Sequence, residues 1–356
     1  MINKYFWKNK KVLITGHTGF KGGWLAVWLN LLGAKIAGYS LNPKTKKNFF
    51  DTTNLKRLLK IDIRADIKDY KKLSSLIKKF KPEIIFHLAA QPQVLESYIN
   101  PYNTILTNVV GTTNLLDLSL KNKSIKSIVI ITTDKVYKNL NKKVRFREED
   151  ALGGDDLYSS SKASADIITT SYYNSFFKNK KCGVASVRAG NCIGGGDWTK
   201  FRILTDASES FLKNKKLVIR NPNSVRPWQH VLEPLLGYII LAEKIFSNKK
   251  KIFSNSWNFG PKLANQVKVK DFAKILRRKM KSRSKIVLNK KTDDREKKYL
   301  DLNSKKSKKY LGWRSFLNIH KTLELTAKWY LANSKKKNML EETTRQIKEY
   351  MKLANK

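Results

Sequence analysis

The sequence is short of acid, of cysteine and of long apolar stretches. Its 356 residues hold 28 Asp and Glu against 73 Lys and Arg, a formal net charge of +45. Cys182 and Cys192 are the two cysteines, too few for a disulfide framework. Each lies beside an apolar or glycine-rich segment, so both read as buried free thiols of a reducing compartment. No run approaches the roughly 18 apolar residues of a membrane span, which argues against a membrane partner. Met1-Ile2-Asn3-Lys4 leads into a strand within about ten residues, leaving no room for a secretory leader, so the expected location is cytoplasmic. Zinc-finger spacing, RNA-binding signatures and a basic zipper are all missing, and no metal is expected.

The excess of base is spread through the chain, as in Lys121-Asn122-Lys123 and Asn248-Lys249-Lys250-Lys251-Ile252. That distribution reads as compositional bias at solvated positions, not as a nucleic-acid surface. A nucleic-acid-binding protein is the rival reading, and charge alone supports it. The charge attracts anionic substrates and makes low salt costly through self-repulsion. A hydrophobic fraction of 41% over this length supplies a substantial core.

Thr15-Gly16-His17-Thr18-Gly19-Phe20-Lys21-Gly22 is the most informative stretch present. Lys11-Val12-Leu13-Ile14 before it reads as a buried parallel strand. Trp24 to Leu29 after it is apolar at helical length and stops at Gly33, a helix C-cap. In that setting Gly16 permits a tight turn, Gly19 lets backbone approach a pyrophosphate, and Gly22 lets helix pack on strand. The helix N-terminus then offers unpaired N–H groups to phosphates.

Strands at 36–39, 59–62, 84–87, 127–131 and 183–187 alternate with helices at 69–80, 103–120 and 157–177. Such alternation predicts an α/β fold with a doubly wound parallel sheet and ligands at the carboxyl ends of the strands. The polar loop 134–156 is too long for a plain connector and reads as functional. Beyond Asn191, helices at 203–212, 234–246, 269–280 and 319–332 are separated by loops rich in Asn, Pro and Gly. The chain thus divides into a dinucleotide-binding domain over 1–190, a smaller α/β domain over 191–335 interleaved with it, and a tail over 336–356 with a surface helix at 339–353. Tyr158 and Lys162 are four apart on one helical face, where an ammonium lowers a phenol's pKa and prepares it to accept a proton.

The glycine motif, Phe86-His87-Leu88-Ala89-Ala90-Gln91, the 107–112 run Thr-Asn-Val-Val-Gly-Thr and the Tyr158/Lys162 pair resemble the extended short-chain dehydrogenase/reductase family. Within it, Thr133-Asp134-Lys135-Val136-Tyr137, the 188–198 run and the 225–234 run are similar to the CDP-glucose 4,6-dehydratases. The resemblance implies a Rossmann-type fold, NAD as cofactor, a CDP-glucose substrate, and a homodimer or homotetramer serving deoxysugar biosynthesis of the lipopolysaccharide O-antigen kind. Another nucleotide-sugar dehydratase or epimerase of the family is the alternative. By the same resemblance Tyr158 takes the 4-hydroxyl proton with Thr133 and Lys162, Asp134 is the acid for the departing 6-hydroxyl, and Lys135 is the base at C5. Epimerases carry small, non-ionisable residues in place of Asp134-Lys135. The implied cofactor contacts are Gly16, Thr18, Gly19, Phe20, Lys21, Gly22, Ser40, Asp66, Ile67, Ala89, Ala90, Gln91 and Asn108, besides Tyr158 and Lys162. Asn191, Asp197, Trp198, Arg220, Arg226 and Tyr299 are the implied substrate contacts. The sequence departs at Leu95, where the family is expected to carry Arg. Strand two ends on Ser40, with no acid for a ribose. His87 reads as structural, and Trp228 and His230 as loop-shaping.

Overall fold

Val12, Leu13 and Ile14 are completely buried on strand β1 (Lys11–Thr15), as an apolar run covered on both faces requires. This strand sits mid-sheet in a computed structural model that describes residues 2–139, 144–248, 251–289 and 300–354. The other strands of its sheet are β2 (Lys35–Ser40), β3 (Leu59–Arg64), β4 (Ile84–His87), β5 (Ser127–Ile131), β6 (Gly183–Arg188) and β7 (Ser256–Asn258). Their spatial order is 3-2-1-4-5-6-7, and every pairing is parallel. The chain reverses its direction of winding between β1 and β4, which places a crevice at the carboxyl ends of those two strands. The doubly wound sheet expected from the sequence is therefore present.

Alternate residues of each strand feed different cores, as the period of two dictates. Val12 and Ile14 join a large cluster with Trp24, Trp257 and Trp329, whereas Leu13 joins a second one with Ile85, Leu115 and Ile128. The longer helices covering the sheet are α1 (Phe20–Leu31), α2 (Tyr70–Phe80), α3 (Gly111–Leu120), α4 (Leu157–Tyr172), α5 (Ile203–Leu212), α6 (Leu232–Ser247), α7 (Val269–Lys279), α8 (Ile319–Ser334) and α9 (Met339–Ala354). Two of them are extended by a widened π turn: Leu106–Val110 runs into α3, and Tyr173–Phe177 continues α4.

The tail forms a helix where the sequence leads one to expect it, over 339–353. Helix α9 lies at the surface, but one face of it is core: Thr343, Gln346, Ile347 and Tyr350 are fully buried. The Tyr350 hydroxyl donates to Glu233 Oε2 at 2.9 Å, and its ring meets Trp28 of α1 edge-on at 5.8 Å. Trp329 Nε1 donates to Thr343 Oγ1 at 3.0 Å. Burial pushes the Glu233 carboxyl up to about 7, while the Leu317 and Phe316 amides and the Tyr350 hydroxyl oppose the shift.

Candidate active site

The loop after β1 is shaped to let backbone come close. Gly16 has φ of +76°, and a Cβ there would lie 2.7 Å from the Ala89 nitrogen. A Cβ on Gly22 would lie 2.3 Å from the Gly16 oxygen. Gly19 caps α1 without a side-chain bond, so the first-turn N–H groups, those of Phe20, Lys21 and Gly22 among them, stay open to an anion. Thr18 Oγ1 lies 2.8 Å from Ser40 Oγ and donates to the Leu41 carbonyl at 3.0 Å, tying the loop to the end of β2. This cradle fits a dinucleotide pyrophosphate.

The opposite wall starts at the end of β4. The Ala89 amide donates to Thr15 Oγ1 at 3.2 Å. Asn108, in the π turn, accepts from the Gln91 amide at 2.8 Å and donates to the Gln91 carbonyl at 3.1 Å and to Ser161 Oγ at 2.9 Å. Gln91 Nε2 donates to Thr104 Oγ1 at 3.0 Å and to the Gln93 carbonyl at 2.9 Å. Asn108 thus ties this wall to α4 through Ser161, and Gln91 ties it to Gln93 and to Thr104. Asp66 pairs with Lys68 at 3.3 Å, and Ile67 packs under Gly111.

Strand β5 delivers the chemistry. Thr133 caps a single 3₁₀ turn, Asp134–Val136, and its Oγ1 donates to Asp134 Oδ1 at 3.0 Å. Asp134 is 3% exposed, and burial pushes its carboxyl up; Lys135, Thr133, Lys21 and Arg226 oppose that. A carboxyl that keeps its proton longer than usual suits a general acid. Asp156 caps α4 by accepting from the Ser159 amide at 2.9 Å, which places Tyr158 and Lys162 in its first turns.

Lys162 Nζ donates to the Ile131 carbonyl at 2.8 Å. Burial, assisted by the Lys21 charge, brings the Lys162 ammonium down to about 8. The Tyr158 phenol is pushed up, not down: burial dominates, Asp134 adds to it, and the Thr133 hydroxyl, Lys21 and Arg202 pull the other way. The spacing of Tyr158 and Lys162 predicted the reverse. The difference arises because burial of the phenol outweighs the cations near it, and the cations acting most on it, Lys21 and Arg202, come from other elements.

Two residues thus gain parts that the sequence did not reveal. Lys21, expected only at the cofactor, carries its charge to Asp134, Tyr158, Cys192 and Tyr238. Arg202, which was not singled out, bonds Asp197 Oδ2 at 2.6 Å and acts on Tyr158. Neither has a local signal, since both act across the fold. His87 bridges Thr15 Oγ1 at 2.8 Å and Thr112 Oγ1 at 3.1 Å, and burial takes it to about 3, so it stays neutral and structural.

On the substrate side the expected residues scatter. Arg226 stands on the strand Val225–Pro227 and its charge reaches Asp134. Asn191 follows Gly190 directly, and its carbonyl accepts from the Gln229 amide at 3.3 Å. Arg220 lies exposed at the rim, 3.8 Å from Asp206. Asp197 is buried, with its carboxylate occupied by Arg202 and by the Thr199 amide at 3.1 Å. Trp198 is core, 5.5 Å from Trp329 and 5.8 Å from Tyr330. Asp197 reaches the cluster through Arg202, which acts on Tyr158, and Trp198 packs against the rings of α8. Leu95 is partly exposed on the short helix Val94–Ile99. Tyr299 lies outside the described residues.

Gly190 leaves the space that Asp134 fills. A Cβ there would stand 2.0 Å from Asp134 Oδ2. Gly190→Ala therefore turns the carboxyl away, and turnover is expected to fall about 10²-fold with the melting temperature little changed, as a displaced reacting group implies. Steady-state rates beside a thermal melt check this; unchanged turnover would show that the carboxyl position is immaterial.

A family model described as GDP-mannose 4,6 dehydratase matches residues 13–326. The chain is 42% identical over 356 residues to the CDP-glucose 4,6-dehydratase of Salmonella typhimurium, covering 99% of each. Among solved structures, UDP-glucose 4-epimerase of Thermotoga maritima superposes with a TM-score of 0.80 at 21% identity, over 91% of this chain and 99% of that one. The dTDP-glucose 4,6-dehydratase of Bacillus anthracis, solved with NAD, superposes with a TM-score of 0.75 at 24% identity, over 93% and 99%. The two superpositions share the doubly wound fold, and the family match together with the Salmonella relative shows that the chain belongs to the GDP-mannose 4,6 dehydratase family.

Proposed function

We propose that this protein is a CDP-glucose 4,6-dehydratase, converting CDP-glucose to CDP-4-keto-6-deoxyglucose and water. The observation that carries the reading is the turn Asp134–Val136: its buried Asp134 carboxyl acts on the Tyr158 phenol, and Lys135 follows Asp134 in the turn. A simple 4-epimerase has no use for an elimination acid. The 42% identity to the Salmonella enzyme over nearly the whole chain supports the CDP-sugar substrate.

The glycine cradle of residues 16–22, with Thr18, Ser40, Asp66, Ile67, Ala89 and Ala90 around it, would hold NAD, and Gln91 and Asn108 brace its wall. When bound, NAD supplies a hydride acceptor at C4 that returns the hydride at C6, so none is consumed. Tyr158 takes the proton of the 4-hydroxyl, with Thr133 bonding beside it and Lys162 placed for a ribose hydroxyl. The C4 ketone acidifies the C5 proton, which Lys135 removes for the elimination and gives back to C5 as the hydride returns at C6. Asp134 gives its proton to the leaving 6-hydroxyl, which departs as water. The Arg226 guanidinium suits the diphosphate by bidentate bonding. Asn191 and Arg220 complete the substrate side, with Tyr299 beyond the described residues, and Asp197 and Trp198 support it.

The enzyme works as a homodimer or homotetramer in the cytoplasm, supplying deoxysugars such as those of O-antigens. The adjoining helical segments 101–120 and 157–177 expose Tyr102, Val110, Ile167 and Phe176, an apolar face suited to a second copy of the chain. Product analysis across CDP-, UDP-, GDP- and dTDP-hexoses with NAD tests the reading. The 4-keto-6-deoxy product is expected from CDP-glucose without net NADH; steady NADH release, or turnover of another nucleotide alone, would overturn it.

A further inference from the structure

Asp166 lies one helical turn beyond Lys162 on α4 and is completely buried. Its carboxylate accepts from Thr132 Oγ1 at 3.0 Å, Ser186 Oγ at 2.8 Å, Ser256 Oγ at 3.2 Å, and Arg188 Nε and Nη2 at 2.9 and 2.8 Å. Thr132 immediately precedes Thr133 and Asp134, so this bond ties the base helix to the near end of the acid turn. Arg188 continues to the far end. Its Nη1 donates to the Tyr137 hydroxyl at 2.8 Å, and its guanidinium lies 4.9 Å from the centre of the Tyr137 ring. Tyr137 directly follows the turn, and its hydroxyl donates to Asn258 Oδ1 at 2.7 Å on the edge strand β7. Asp134 is therefore held from both sides to one buried ion pair rooted in the helix that carries Tyr158 and Lys162.

We propose that Asp166, Arg188 and Tyr137 form a strut that fixes the acid turn against the base helix, and that Tyr137 is a positioning residue for the elimination step. The inference rests on the dehydratase reading. In that reaction the proton acceptor at C4 and the proton donor at C6 act on one hexose in succession, without the sugar leaving. Their separation must match the spacing of those two carbons, and a displacement of an ångström is costly. Hydroxyl and guanidinium bonds at both ends of the turn set that separation, whereas apolar packing alone would let the turn slide. The side of the strut nearest Tyr158 keeps the Thr132 and Ile131 bonds when Tyr137 is altered, so the two chemical steps should respond differently.

Tyr137→Phe keeps the ring, its stack on Phe146 at 4.8 Å and its face toward Arg188, and removes one hydroxyl. Loss of the 6-hydroxyl is expected to slow about 10²-fold while ketone formation at C4 changes less than about two-fold and the KM for CDP-glucose holds. Rapid-quench analysis of C4 oxidation and water loss, with a thermal melt of each protein, reads both steps. Thr132→Val is the second variant: it removes the hydroxyl shared between Asp166 and the Val187 carbonyl at the near end of the turn and keeps the side-chain shape. It is expected to slow water loss as well, with the fold retained. Equal slowing of both steps in Tyr137→Phe, or no slowing of either, overturns the proposal and leaves the network a matter of folding alone. Failure of the wild-type protein to dehydrate CDP-glucose would instead remove the function proposed above.

Discussion

Tyr158→Phe abolishes ketone formation at C4, with turnover falling about 10³-fold, within the range that a positioned acid or base contributes. The magnitude follows from what surrounds the phenol. Tyr158 is 8% exposed, so Phe fills the same space and the fold survives. No other group takes over the proton: His87 and His230 are both held neutral by burial at about 3, and His87 is spent on two threonines. Lys162 is bonded to the Ile131 carbonyl. Initial rates and a single-turnover record at 340 nm check this. Residual oxidation above about a tenth of the wild-type rate would place the base elsewhere. The wild-type profile carries a further mark of the site. The Lys162 ammonium loses its proton near pH 8, so activity should decline on the alkaline side of that value.

Asp134→Asn gives the opposite pattern: the ketone forms and water loss stalls. The amide matches the carboxyl in shape and can still accept from Thr133, but it has no proton of suitable acidity to give. Loss of the 6-hydroxyl is expected to fall between about 10²- and 10⁴-fold, while C5 hydrogen continues to exchange with deuterated solvent. The sign of the pH dependence follows from the upward shift of the buried carboxyl. The acid form persists above the ordinary carboxylate range, and elimination in the wild type declines as pH rises through the shifted value. The Asn variant should lack that decline. Equal loss of oxidation and elimination would show that Asp134 shapes the pocket and does not act on C6.

These two variants concern residues that could be read from the chain, because their chemistry is local. Asp134 and Lys135 are adjacent, Tyr158 and Lys162 are one helical turn apart, and the glycines stand between an apolar strand and an apolar helix. Strands β1, β4 and β5 were equally legible as continuous apolar runs. The seventh strand was not: Ser256-Trp257-Asn258 is too short to show a period, and pairing with β6 creates it. The π turns at 106–110 and 173–177 left no mark in a helical pattern. Arg202 and the reach of Lys21 depend on which side chains converge across the fold, which spacing does not encode. The phenol's upward shift was missed for the same reason. Spacing put an ammonium near Tyr158, but burial of the phenol in the folded chain outweighs the cations around it.

Helix α9 has a consequence for how the molecule is made. Trp28 on the glycine-loop helix packs against Tyr350, more than 300 positions later in the chain, and Glu233 waits for the Tyr350 hydroxyl. During vectorial synthesis the glycine-loop helix emerges long before α9, so the contact of Trp28 with Tyr350 forms only once α9 has followed. The glycine-loop helix therefore reaches its final packing only after a partner from far along the chain has been made.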